Sequence, residues 1–199
     1  MTDAPSPDSM STPLSTTLDV LRAHVDEHSV KHGQFTLKSG ATSSWFLDTK
    51  QTACSPDGII AVADAVFEVF ADVLDQIDAI GGLTLGGDPM AYGVAAVAAA
   101  RGHHIRSFSV RKEAKQGGIT GRIAGALRPG DRVLVTEDTT TRGTSLIEAA
   151  EQITAFGALP LWMTVIVDRG GTCAALAAEH GIDYRPLLTA PDLGFGYGT

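Results

Sequence analysis

The chain has 199 residues, 44% of them hydrophobic, enough for one well-buried domain and too few for two large ones. Its formal net charge of -8 is the opposite of the balance that a nucleic-acid binder needs. The two cysteines, Cys54 and Cys173, stand far apart in no metal-ligand spacing, so a reduced, cytoplasmic protein without a disulfide framework is expected.

Residues 1–13 are rich in Ser, Thr, Pro and Asp and read as a disordered leader, neither signal peptide nor anchor. No apolar run approaches the length of a membrane span. A first helix is expected from about Leu14 to Val30, where Leu18, Leu21 and Val25 recur at near-helical spacing. Trp45-Phe46-Leu47 reads as a short strand. Pro56 opens an amphipathic helix, with Asp64, Glu68, Asp72 and Asp75 on a solvated face and Val62, Val66, Val69, Phe70 and Val73 on another. Asp78 to Leu85 is a buried strand that runs into Gly86-Gly87-Asp88-Pro89, and Tyr92 to Ala100 is the next helix, stopped by Gly102. A strand over Ile105 to Val110, a glycine-containing loop over Arg111 to Gly125 and a strand over Arg132 to Thr136 follow. A helix spans Ser145 to Phe156, with Gly157 past its end. Leu161 to Val167 is a continuous apolar strand, a helix runs to about His180, and Tyr184 to Leu188 is a last strand.

Apolar strands that do not alternate in polarity, interleaved with helices, predict a doubly wound, mainly parallel α/β sheet covered on both faces. Residues 14–199 then make one domain, with a small N-terminal hood formed by about residues 14–56. In such sheets ligands bind beyond the carboxyl ends of the strands. Gly86-Gly87, Arg111-Lys112, Glu137-Asp138 and Asp168-Arg169 all fall there. The basic residues Arg101, Arg106, Arg111, Lys112, Lys115 and Arg122 cluster in one stretch against the single acid Glu113, and such a patch on an acidic protein suits a small polyanion.

The most informative stretch is Glu137-Asp138-Thr139-Thr140-Thr141-Arg142-Gly143-Thr144-Ser145, at the end of a strand and the start of a helix. Ser145 and Glu148 have capping-box spacing, and helix-start N–H groups together with the helix dipole favour an anion. No P-loop or dinucleotide glycine fingerprint occurs. Two adjacent carboxylates beside a phosphate cradle need another partner, such as ribose hydroxyls or a divalent cation. An ordinary polar turn between strand and helix is the other reading of these residues.

This acid pair and Thr/Gly loop resemble the ribose-5-phosphate loop of type I phosphoribosyltransferases. Further segments are similar to the orotate phosphoribosyltransferase family: Phe35-Thr-Leu-Lys38-Ser-Gly40 with Ser44-Trp45-Phe46-Leu47-Asp48, the loop Arg111-Lys112-Glu113-Ala114-Lys115, and Asp168-Arg169. The resemblance runs from about Lys31 to Gly194. It implies transfer of a 5-phosphoribosyl group from 5-phosphoribosyl-1-diphosphate (PRPP) to orotate, giving orotidine 5'-monophosphate and diphosphate in pyrimidine nucleotide biosynthesis. It also implies Mg²⁺ held mainly through PRPP and water, with no metal ligand supplied directly by the protein, and a cytoplasmic homodimer.

Carried over by residue, the resemblance gives Arg111, Lys112 and Lys115 to the diphosphate, on a closing loop whose Gly117, Gly118, Gly121 and Gly125 serve as hinges. Glu137 and Asp138 meet the ribose diol, and the turn Thr139, Thr140, Thr141, Arg142, Gly143, Thr144 and Ser145 wraps the 5-phosphate. Lys38, Phe46, Leu47, Thr141 and Arg169 face orotate, Arg169 holding its carboxylate bidentately. An ion pair with Asp168 or another acid at a strand end is the other reading of Arg169, and a core position the other reading of Phe46.

The chain departs from the family pattern in places. Gly117 stands where many members have a loop histidine, Gly87-Asp88-Pro89-Met90 replaces a lysine-bearing turn, and Arg142 is unusual inside the cradle. A regulator of the same fold that senses PRPP or nucleotides with little turnover is therefore the alternative. His32, His103 and His104 lack ligand-like spacing and read as surface or strand-end residues.

Overall fold

The structure is a computed structural model that describes residues 16–36, 42–115 and 121–198. Helix α1 (Thr17–His28) starts at a capping box, in which Thr16 accepts from the Asp19 N–H and Asp19 accepts from the Thr16 N–H. It is shorter at both ends than the expected Leu14 to Val30. The chain then enters strand β1 (Val30–Thr36), which pairs antiparallel with β2 (Thr42–Leu47). The sequence reading found only the last three residues of this hairpin, because β1 (Val-Lys-His-Gly-Gln-Phe-Thr) lacks an apolar alternation.

The short helix α2 (Lys50–Ala53) leads to α3 (Pro56–Val69), capped by Ser55, whose Oγ accepts from the Gly58 N–H at 3.1 Å. The expected acidic stripe outlasts this helix, since Asp72 and Val73 lie in the turn beyond Val69 and Asp75 in the short 3-10 helix Leu74–Gln76. Nor is the stripe merely solvated: Asp64 pairs with Arg101 and Asp72 with Arg185.

Strand β3 (Ala79–Leu83) is buried throughout, and α4 (Gly87–Ala100) begins well before the expected Tyr92 because the glycine turn itself winds into the helix. Strand β4 (Arg106–Lys115) turns back on β5 (Gly121–Gly125) as an antiparallel ribbon. The expected irregular loop from Arg111 to Gly125 is thus largely a strand pair. Strand β6 (Arg132–Thr140) continues past the expected end at Thr136, so the acid pair lies within the strand. Helix α5 (Thr144–Phe156), strand β7 (Leu159–Asp168) and helix α6 (Cys173–Glu179) follow. The expected last strand is two short ones, β8 (Asp183–Tyr184) and β9 (Leu188–Thr189), both parallel to β7.

The described main sheet has seven strands in the order β5-β4-β3-β6-β7-β8, with β9 also on β7, and only β5 runs antiparallel. Successive residues explain the unbroken apolar strands. Leu134 packs with α1, α3, α4 and the hairpin on one face, while Val133 and Val135 pack with α5 and α6 on the other. Both faces are covered, as the doubly wound class requires. The hairpin lies off the main sheet but joins the first core through Trp45 and Leu47.

Candidate functional site

The end of β6 brings the two acids up to the turn after β3. A Cβ placed on Gly86 would collide with Glu137 Oε1 and lie 2.8 Å from Asp138 Oδ1, so both carboxylates approach this glycine. That proximity gives a steric reason for a residue without a side chain at this point of the turn. Asp138 is buried and Glu137 half-buried. Burial first, and the neighbouring Asp138 carboxylate second, push the Glu137 carboxyl up to about 8, against the pull of Lys50 and Lys112. Two crowded acids of which one holds its proton near neutrality are a site prepared for hydroxyl donors or added positive charge.

Asp138 is held from several sides. Its Oδ2 accepts from Thr49 Oγ1 at 3.1 Å and pairs with the Lys50 ammonium, while Oδ1 accepts from the Thr139 N–H at 2.9 Å. Thr49 and Lys50 were absent from the sequence-derived site. They sit at the start of a helix of four residues, too short to show a period, just after the quoted segment ending at Asp48. A lone cation so close to that segment was the available signal.

The turn after the acids divides its labour. Thr139 Oγ1 donates to the Val167 carbonyl at 3.0 Å, and Thr140 Oγ1 accepts from the Gly143 N–H at 2.8 Å. These two hydroxyls therefore build the turn. Thr141, Arg142 and Thr144 are exposed and Ser145 is half-buried, which leaves them facing outward around the helix start. The expected capping box does not form: α5 starts from Gly143, at φ 82°, with no side-chain cap, and Glu148 instead pairs with Arg122. Without a side-chain cap, N–H groups of the first turn are open to an incoming anion.

The cationic cluster is likewise reduced. Arg101, Arg106 and Arg122 pair with Asp64, Asp131 and Glu148. Arg122 Nε also donates to the Arg111 carbonyl at 2.6 Å, bracing the ribbon. Lys112 is exposed on β4, near enough to Glu137 to pull its carboxyl down, and Lys115 ends the strand. Gly117 and Gly118 lie outside the described residues, as does Lys38.

Arg169 follows β7, with its guanidinium 4.5 Å from the centroid of the Trp45 ring. The Asp168 carboxylate is engaged by the Gly170 and Gly171 N–H groups of its own turn and by the Tyr184 hydroxyl of β8. Phe46 and Leu47 were both expected to wall a base. They lie on opposite faces of β2: Leu47 enters the core, whereas Phe46 is 39% exposed and meets Phe35 at 5.6 Å. Strand alternation prevents them from lining one face together, and Leu47 is a core residue. His32 and His104 are exposed, and His103 rests near Asp75 and Phe67.

No protein-family profile matches the chain. An orotate phosphoribosyltransferase from Streptomyces avermitilis is 35% identical over 175 residues, covering 87% of this chain and 95% of that one. Among solved structures, Mycobacterium tuberculosis H37Rv orotate phosphoribosyltransferase in complex with Fe(III) dicitrate has a TM-score of 0.80 at 33% identity, covering 90% of this chain and 99% of its own. The same mycobacterial protein in complex with PRPP has a TM-score of 0.76 at 30% identity, with the same coverage.

Proposed function

The chain belongs to the orotate phosphoribosyltransferase family, and from that membership we infer that it transfers the 5-phosphoribosyl group of PRPP to orotate, releasing diphosphate and orotidine 5'-monophosphate. The observation that carries the reading is the acid pair at the end of β6, set against an open helix start on one side and Arg169 on the other.

In this reaction the bond from the anomeric carbon to diphosphate oxygen breaks, its electron pair leaves with diphosphate, and a ring nitrogen of orotate bonds to that carbon. The nitrogen's proton is lost to solvent. Positive charge develops on the ribose and negative charge on the leaving group, so charge stabilisation and positioning supply most of the rate. We assign Glu137 and Asp138 to the ribose diol, where the fixed Asp138 oxygens and the proton-bearing Glu137 offer complementary hydrogen bonds. Thr141, Arg142, Gly143, Thr144 and Ser145, at the start of α5, receive the 5-phosphate; Thr139 and Thr140 shape that turn. Arg111, Lys112 and Lys115 on the β4–β5 ribbon serve the diphosphate. Arg169 holds the orotate carboxylate, with Thr141 beside it and Phe46 as the available aromatic wall.

Among the described residues no group of three or more His, Cys, Asp or Glu side chains could hold a metal ion. Asp138 is already occupied by Thr49, Lys50 and the Thr139 N–H. This donor set fits a Mg²⁺ ion carried mainly by substrate oxygens and water, which would neutralise part of the diphosphate charge. No described helix is long and apolar enough to cross a membrane, and we place the enzyme in the cytoplasm. A homodimer belongs to the same proposal, and the exposed Ile60, Leu85 and Tyr92 are apolar side chains available to its interface.

The direct test is turnover. Orotate absorbance should fall on addition of protein only when PRPP and Mg²⁺ are present, and adenine should not be consumed in its place. Binding of PRPP with no turnover at saturating substrates would favour the regulatory alternative.

A further inference from the structure

The backbone of Arg169 is pinned at both ends. Its N–H donates to the Thr140 carbonyl at 2.8 Å, linking it to the cradle strand, and its carbonyl accepts from the Gly198 N–H at 2.8 Å, linking it to the C-terminal tail. The same tail reaches the side chain. Phe195 stacks on the Trp45 ring with centroids 4.0 Å apart and planes 4° from parallel, and that Trp45 ring, 1% exposed, is the one that carries the Arg169 guanidinium. Tyr197 covers the turn as well, since a Cβ on Gly171 would lie 3.0 Å from its ring. We propose that the tail segment Phe195–Gly198, acting through Trp45, positions Arg169 and thereby sets the preference for a carboxylated base. The proposal rests on the assignment of Arg169 to the orotate carboxylate.

The physical argument is preorganisation. A free arginine side chain samples many rotamers, and ordering it on a ligand costs affinity. Here an aromatic face attracts the guanidinium through its negative quadrupole and orients its plane. Burial already strips water from this arginine and disfavours its charge. A carboxylate arriving at a partly dry, already oriented guanidinium meets less screening and less reorganisation than one arriving at a mobile, hydrated side chain. Trp45 is fixed in turn by the core beneath it and by Phe195, so the tail fixes the guanidinium through a rigid intermediate. Phe195, Tyr197 and Gly198 act on recognition without touching substrate; they are positioning residues.

A double-mutant cycle separates this role from plain packing. Phe195→Leu keeps apolar volume but removes the stacked ring; Arg169→Gln removes the charge. Measured from initial rates, Arg169→Gln should raise the KM for orotate about twentyfold or more. Phe195→Leu should raise the orotate KM about fivefold while the PRPP KM stays within about twofold. The double variant should be no worse than Arg169→Gln alone. An unchanged orotate KM in Phe195→Leu, equal effects on both substrates, or effects that multiply in the double variant would each overturn the positioning role while leaving Arg169 in place. An orotate KM unaffected by Arg169→Gln would remove the arginine assignment, and the positioning role with it; the transferase reading, which the cradle carries, would then be judged by turnover. Should Phe195→Leu fail to fold, Trp45→Phe makes the same test with a smaller aromatic face. It should raise the orotate KM about two- to threefold, and no change there also overturns the proposal.

Discussion

The Lys50 ammonium and the Asp138 carboxylate, 88 residues apart in the chain, form an ion pair that ties helix α2 to the acid pair on β6. The Asp138 side chain is 6% exposed and that of Lys50 41%. Removing the partner of a dry ion pair costs about 3–5 kcal/mol. Solvent around Lys50 screens this one, so Lys50→Met should cost about 1–2 kcal/mol of stability. It should also raise the PRPP KM several-fold, and Lys50→Arg should recover most of both losses. Thermal unfolding and initial rates against PRPP check this; unchanged values in Lys50→Met would show that the pair contributes nothing.

Glu137 gives a pH signature. Its carboxyl is raised from 4.5 to about 8 in the folded chain. A group raised in this way contributes stability that is fully present below its unfolded value and is lost as pH climbs through the folded one. This contribution should therefore fade between about pH 4.5 and 8. Glu137→Gln cannot ionise, so at pH 8 it should be more stable than the parent by about 4 kcal/mol, with the difference vanishing below about pH 4.5. Urea unfolding at a series of pH values measures it, and a difference that does not depend on pH would contradict the assignment.

Lys112 is exposed on a ribbon, so its loss should leave stability nearly unchanged. If its charge meets the leaving diphosphate, Lys112→Ala should lower kcat about 10- to 100-fold while altering the orotate KM little. Equal losses in binding and rate would point to uniform binding instead.

Gly170 follows Arg169 where the turn presses on the cradle. A Cβ there would collide with the Thr141 carbonyl, which is backbone and cannot swing aside. Gly170→Ala should destabilise the protein by about 1–3 kcal/mol and raise the orotate KM, because Thr141 and Arg169 would be forced apart. Thermal unfolding together with orotate kinetics tests both halves; a variant with parental kinetics would show that this approach is not needed for the base.

Much of the candidate site was legible in the sequence because its residues are contiguous. The acids and the Thr/Gly turn lie in one stretch, and the unbroken apolar strands already required a sheet buried on both faces. What could not be read was contact between distant segments. Nothing local marks Lys50 as the partner of Asp138, or Phe195 as the neighbour of Trp45. The Ser145–Glu148 spacing was a genuine local signal, but Arg122 claimed Glu148 and Gly143 took the helix start. Phe46 and Leu47 part for a purely local reason, since adjacent strand residues take opposite faces. The basic cluster, by contrast, shrank because Asp64, Asp131 and Glu148 reach half of its members only through the fold.

The central claim is that the turn from Glu137 to Ser145 grips PRPP, and calorimetry tests it most directly. Titrating PRPP with Mg²⁺ into the parent protein should give saturable binding, and Asp138→Asn should weaken it about tenfold. A parent protein that takes up no PRPP, or an Asp138→Asn variant that binds it equally well, would contradict the claim.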